Sequence, residues 1–156
     1  MPRRSGRIVR DFSAGGVIYR RQDHGIEIAL VGQQSPDRWQ LPKGTPHQNE
    51  SREGAAVREA QEETGLIVRL ICPLEEIQYW FAVNGQRHFK TVAFYLMEAI
   101  GGDTRLHDSE YDESEWFALS IALERLTFAN EVEIVQAATR ILESTSHDTT
   151  AAQLHD

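Results

Sequence analysis

The chain has 156 residues and carries 24 acidic against 16 basic side chains, a net charge of −8. That length suits one domain, able to bury roughly 70% of the surface its unfolded form exposes without a disulfide or a metal to hold it together. The acid excess excludes a non-specific nucleic-acid binder, which would be basic overall, but not a nucleotide substrate, because a bound cation reverses the local field. The excess is uneven: residues 44–66 hold five acids and two bases, residues 101–115 six acids and one base, and the rest of the chain is neutral. A charge cluster alone is most simply a solvated face.

In chain order, Arg3, Arg4, Arg7 and Arg10 come first, with no apolar run behind them. They read as a solvated arm with too few aromatics nearby for nucleic-acid binding, and not as a secretory leader. GGVIYR (Gly15–Arg20) and IEIALV (Ile26–Val31) predict two strands around a turn at Asp23-His24-Gly25. Ser51–Thr64, rich in Ala, Glu, Gln and Arg, predicts a helix, and Gly65 stands where a left-handed cap belongs. A short strand, Leu66 to Cys72, is expected to end at Pro73. Ile77, Tyr79, Phe81 and Val83 alternate with Gln78, Trp80 and Ala82 up to Asn84-Gly85, the strongest two-residue hairpin signal, and a return strand runs from about Arg87 to Glu98. Gly101–Glu115 is an acidic, turn-rich loop, and Trp116-Phe117 a short buried piece. Val132, Val135, Ala138 and Ile141/Leu142 recur at helical spacing, with Asn130 and Glu133 as a capping pair. The tail from Ser144 is polar and expected to be disordered. Strands neighbouring strands, with helices coming singly, indicate a mixed α/β (α+β) fold: one domain over residues 1–143 and a tail over 144–156. Cys72 is the single cysteine, which fits a reducing cytoplasm, and no apolar stretch is long enough to span a membrane.

The helix carries the chemistry. Glu59, Glu62 and Glu63 fall at i, i+3 and i+4, so three carboxylates share one face, with Glu50 just before it. Like charges at that spacing destabilise a helix by a few tenths of a kcal/mol, and a hard divalent cation bound by carboxylate oxygens offsets the repulsion. Arg58 can hold a carboxylate in place. Ala56, Ala60 and Val57 on the other side permit close packing. Taken alone, the pattern fits equally an exposed helix laced with Arg–Glu pairs.

The full spacing from Gly44 through Glu50, Arg58, Glu59, Glu62 and Glu63 to Gly65 resembles the signature of the Nudix hydrolases, with all seven fixed positions present and Ala60 the one departure. Chance agreement is on the order of 10⁻⁹ per window at average residue frequencies. The resemblance implies a mixed sheet between helices and a Mg²⁺-dependent (or Mn²⁺-dependent) enzyme that cuts a phosphoanhydride bond in a nucleoside diphosphate linked to a group X. It implies Glu59, Glu62 and Glu63 as metal ligands, Glu50 as a supporting carboxylate, Arg58 as their orienting partner, and Gly44 and Gly65 as shapers of the flanking turns. The proton-accepting residue is Glu62, Glu63 or a carboxylate outside the motif. The segment around Glu110, with Asp112 and Glu113 as alternates, resembles the loop on which relatives carry a further glutamate. Lys43, beside Gly44, and Lys90 are candidates for phosphate contact, and Tyr79 for base stacking, whereas Trp80 reads as core. SAGGVIYR with the Trp39–Gly44 run looks most like diadenosine polyphosphate (Ap4A) hydrolases. The alternatives are hydrolysis of oxidised nucleoside triphosphates, as in MutT-like members, of ADP-ribose or of diphosphoinositol polyphosphates, or a non-catalytic nucleotide sensor. A small-molecule nucleotide partner is implied, with no membrane or nucleic-acid partner and a homodimer as an option.

Overall fold

A computed structural model describes the backbone of residues 7–154 and the side chains of residues 7–144. Its elements are β1 (Val9–Gln22), β2 (Gly25–Gln34), β3 (Asp37–Gln40), β4 (Lys43–Gly44), α1 (Arg52–Thr64), β5 (Leu66–Val83), β6 (Gln86–Gly102), a 3₁₀ turn (Thr104–Leu106), β7 (Glu113–Ala118), α2 (Leu119–Arg125) and α3 (Ala129–Leu154). The sheet runs β3-β2-β1-β6-β5, with β4 on β1 and β7 on β2. β1 and β6 are parallel, and the other pairings are antiparallel.

Period-two alternation divides the apolar residues between two faces. Val17, Tyr19, Leu30, Val92, Phe94 and Leu96 face α2 and α3, where Ile134, Val135, Ala138 and Leu142 pack. Ala14, Ile18, Ala93, Tyr95 and Met97 face α1, which meets them with Ala55, Ala56 and Ala60. Three alanines let α1 lie close on the sheet, and Glu59 and Glu63 are buried along that same side of the helix. The mixed α+β character read from the residues and the sheet between helices implied by the resemblance are both present.

Several local expectations hold and some change. Ser51 caps α1, its Oγ accepting the Gly54 N–H at 2.9 Å, and Gly65 ends it at φ 79°. Asn84 and Gly85 both have positive φ, the type I′ geometry that suits a two-residue hairpin. Pro73 does not end its strand: β5 continues to Val83, with register shifts at Leu70/Cys72 and Pro73/Glu76 that absorb it. Proline is tolerated there because β5 is the last strand, so its missing N–H can fall on the unpaired side. Trp80 is not core but half exposed, leaning on Phe89 at 4.8 Å. Helix α3 starts at Ala129, so Asn130 lies inside its first turn and not at the cap. The backbone stays helical through Leu154, and the tail expected to be disordered falls, from residue 145 onward, outside the residues whose side chains are described. No helix among the described residues is long and apolar enough to cross a membrane.

Candidate metal and nucleotide site

The site begins at the start of α1. Arg58 is the hub. Its Nε donates to Glu50 Oε2 at 2.8 Å and its Nη2 to Glu50 Oε1 at 3.0 Å, a bidentate pair. The same guanidinium donates to Glu59 Oε1 at 2.9 Å, to Glu62 Oε2 at 3.3 Å and to the Thr45 carbonyl at 3.2 Å. The Arg58 hydrogen bonds, helped by the His47 N–H, hold the Glu50 carboxyl down at about 2. Glu50 is thus fully engaged in bracing Arg58 and the loop ahead of α1.

Beyond that hub, Glu59, Glu63 and Glu110 each bring a carboxylate oxygen within 4.8 Å of the others. Glu63 is fully buried. Its Oε2 accepts the Lys43 N–H at 3.0 Å, while its Oε1 has no hydrogen-bond partner. Burial, reinforced by the charges of Glu110 and Glu59, pushes the Glu63 carboxyl up to about 9. Burial, with Glu59, Asp108 and Glu62 nearby, also raises Glu110. A buried carboxylate oxygen without a donor, facing two more carboxylates, is costly unless a cation completes it. All-oxygen donors in such an array suit a hard divalent ion. Glu62 lies exposed beside the three and is not among them.

Gly44 acts below the cluster. A Cβ there would sit 2.1 Å from the Glu59 carboxyl carbon, so any larger residue in β4 pushes that carboxylate from its place. Gly65 meets the acidic loop in the same way, with a Cβ falling 2.4 Å from the Asp103 carbonyl oxygen. The loop is tied to the end of α1: Asp103 N–H donates to Gly65 O, Asp108 N–H to Glu62 O and Ser114 Oγ to Thr64 O. These bonds deliver Glu110 to the cluster.

On the other side of Lys43 lies a cavity of about 420 Å³ between the sheet and α3. Ile77, Tyr79, Val92, Phe94 and Phe128 give it apolar walls, and Arg38, Gln40, Lys43, Asn130 and Glu131 its polar groups. Glu131 is buried, its Oε1 accepting the Leu41 N–H at 2.9 Å and its Oε2 standing 4.0 Å from Lys43 Nζ. Burial raises its carboxyl, and Lys43 opposes that. Lys43 therefore spans the two halves, with its backbone on Glu63 and its ammonium on Glu131. Lys90 lies outside the cavity lining; its Nζ donates to Ser13 Oγ at 2.6 Å, and burial lowers its pKa. Tyr79 forms an outer wall.

Sequence reasoning missed Glu131 and the cavity. The one available signal was positional: Glu131 stands at i relative to Ile134, Val135 and Ala138, an acid placed on the apolar stripe of α3.

The NUDIX domain family model matches residues 9–141 of this chain. A candidate mutator protein, MutT4, of Mycobacterium tuberculosis (strain CDC 1551 / Oshkosh) is 35% identical over 97% of the chain, and the 8-oxo-(d)GTP phosphatase of Mycolicibacterium smegmatis (strain ATCC 700084 / mc(2)155) is 29% identical over 80%. The aligned regions span 64% and 40% of those relatives' own lengths. Among solved structures, the binary complex of the C. elegans Ap4A hydrolase superposes with a TM-score of 0.67 at 21% identity, covering 86% of this chain and 98% of the other. A MutT NUDIX hydrolase from Burkholderia pseudomallei gives 0.63 at 24% identity, covering 82% and 97%. At these identities the superpositions establish the fold.

Proposed function

The chain belongs to the NUDIX domain family, and on that premise we propose that it is a divalent-metal-dependent pyrophosphohydrolase acting on a purine nucleoside triphosphate, an oxidised one included. The observation that carries this reading is Lys43, which joins the carboxylate cluster to a cavity large enough to take a nucleobase with room to spare. The named activity of the Mycolicibacterium relative supports the nucleotide class.

Glu59, Glu63 and Glu110 would hold the metal, Mg²⁺ by the family resemblance. When bound, such an ion neutralises phosphate charge and sharpens a water nucleophile. The chain's own residues do the rest. Arg58 and Glu50 keep Glu59 aimed at the cluster. Lys43 offers a cation to phosphate oxygens between cavity and cluster. Tyr79 and Phe128 flank the base, and Asn130 and Glu131 present an amide and a carboxyl to its edge. Glu62, exposed beside the cluster, receives the proton of the attacking water. Lys90 and Ser13 lie further out along β6 and β1, where they would meet a longer polyphosphate. A second reading, a dinucleoside polyphosphate such as Ap4A, rests on Tyr79, which is partly exposed and leaves the cavity mouth open to a larger group X.

The test is a substrate panel of dGTP, 8-oxo-dGTP, Ap4A and ADP-ribose with Mg²⁺, read by product identity. Monophosphate and pyrophosphate from the triphosphates, with the highest kcat/KM for a purine, are expected. Preferred cleavage of Ap4A moves the assignment to the second reading. Binding without cleavage of any member overturns the enzyme.

A further inference from the structure

We propose that the outer half of β5, residues 76–83, is a docking edge for a second copy of this chain, paired antiparallel to the same segment. β5 is the terminal strand of the sheet, and among the described residues no strand pairs with its outer side. An open edge is a template for another strand, and proteins blunt it with bulges, prolines or charges. The first half of β5 has such devices: register shifts at Ile67/Val68, Leu70/Cys72 and Pro73/Glu76, and Pro73 itself. From Ile77 to Val83 there are none. The ladder to β6 is unbroken and the segment holds no Pro, Gly, Lys or Arg. Ile, Tyr, Trp, Phe and Val within eight residues are the strongest strand formers. Yet Tyr79, Trp80, Phe81 and Val83 are 39%, 50%, 37% and 46% exposed, on both faces of the arm.

Charge points to a second copy as the occupant. Two molecules of charge −8 repel unless they meet where neither is acidic. The arm is such a place. Its one carboxylate, Glu76, is paired with Arg52 at 3.1 Å, while Arg10 and Arg87 lie over Phe89 and Trp80 with no carboxylate partner among the described residues. An antiparallel pairing centred on Trp80 keeps each face continuous. It sets Tyr79 opposite Phe81 of the second copy, Ile77 opposite Val83 and Glu76 opposite Asn84, so no two carboxylates meet and the interface is isologous.

Area sets the strength. Aromatic side chains bury about 150–250 Å² each, so at these exposures the arm can lose roughly 250–300 Å² per copy. Two copies stay well under the ~1,200 Å² of a standard interface, which makes this a weak, reversible dimer with a dissociation constant of micromolar order or weaker. Tyr79 also lines the cavity, so Phe81 of the second copy would lengthen that wall.

Sedimentation of the full chain over about 5–500 µM, the span in which a weak pair dissociates, tests this without nucleotide or metal, so its failure leaves the hydrolase reading untouched. The mass should rise from 17.7 kDa toward twice that value. Hydrogen exchange should show protection of the amides of residues 76–83 that grows with concentration. Trp80→Lys and Phe81→Lys, at exposed positions, should each weaken the dimer by about tenfold or more with the far-UV spectrum and melting temperature retained. A constant 17.7 kDa mass, or a dimer unaffected by both substitutions, overturns the proposal. So does tight binding of a single-stranded oligonucleotide by a monomer that the same substitutions abolish, which would assign the Arg–aromatic arm to nucleic acid.

Discussion

Residues 44–66 and 101–115 contain five and six acids respectively, but the two segments spend them differently. In the first, one arginine organises three carboxylates, with Glu50 clamped and Glu59 and Glu62 touched, while Glu63, one turn beyond Glu59, is pressed into the protein. In the second, half of the acids, Asp103, Asp108 and Asp112, hold the loop itself. Asp103 folds onto Arg105, Asp108 Oδ1 accepts the Glu110 N–H, and Asp112 Oδ2 accepts the Gln34 N–H. Only Glu110 reaches the cluster. A capped helix on an alanine platform fixes side-chain positions by its own periodicity, whereas a loop must use side chains to hold itself before it can present one.

The comparison can be broken by mutation, most sharply in the helix. Glu62→Gln should lower kcat by about 10²–10⁴-fold, the usual worth of a positioned acid–base group, with the melting temperature retained because the side chain is exposed. Steady-state turnover at wild-type levels would remove Glu62 from the mechanism. Gly44→Ala forces Glu59 aside and should cost about 10²-fold, since a displacement near 1 Å is enough to do so. A crystal structure of the variant with Glu59 unmoved and full activity would contradict that. Glu110→Gln should reduce turnover and raise the Mg²⁺ concentration needed for half-maximal rate, each by roughly tenfold, whereas Glu113→Gln should leave both within about twofold. Equal effects of the two would show that the loop acts by charge alone and not by placing one ligand.

The smallest effect concerns stability. Glu63 has a folded pKa of about 9 against an ordinary 4.5, so between those values the folded state binds more protons than the unfolded one. The metal-free protein is then most stable below pH 4.5 as far as this group is concerned, and loses that stability as pH rises to 9. Glu63→Gln should flatten the slope and raise the melting temperature at pH 8 by about 3 °C or more, the equivalent of roughly 1 kcal/mol for a domain of this size. A slope equal to that of the unmutated chain in EDTA would refute the assignment.

Much of the site could be read from residues alone. Helical spacing grouped Glu59, Glu62 and Glu63, Gly65 marked the cap, and Asn84-Gly85 fixed the hairpin, because each rests on contacts within a few residues. Local sequence could not say that Pro73 lies within a long strand or that Trp80 faces outward, and only the family resemblance put Glu110 ahead of Asp112 and Glu113 in the loop. Those depend on β5 being an edge and on bonds from the loop to the end of α1. It also could not find the cavity, since Glu131 and Lys43 are 88 residues apart in sequence and meet only when α3 packs on the sheet. The sequence by itself determined the spacing of the acids along α1, because that spacing is written in one helix turn after another. The tertiary structure decided that Glu63 is buried with an unpaired oxygen, that Glu110 joins it, and where a base can sit. Burial and the convergence of distant segments are properties of packing, not of spacing.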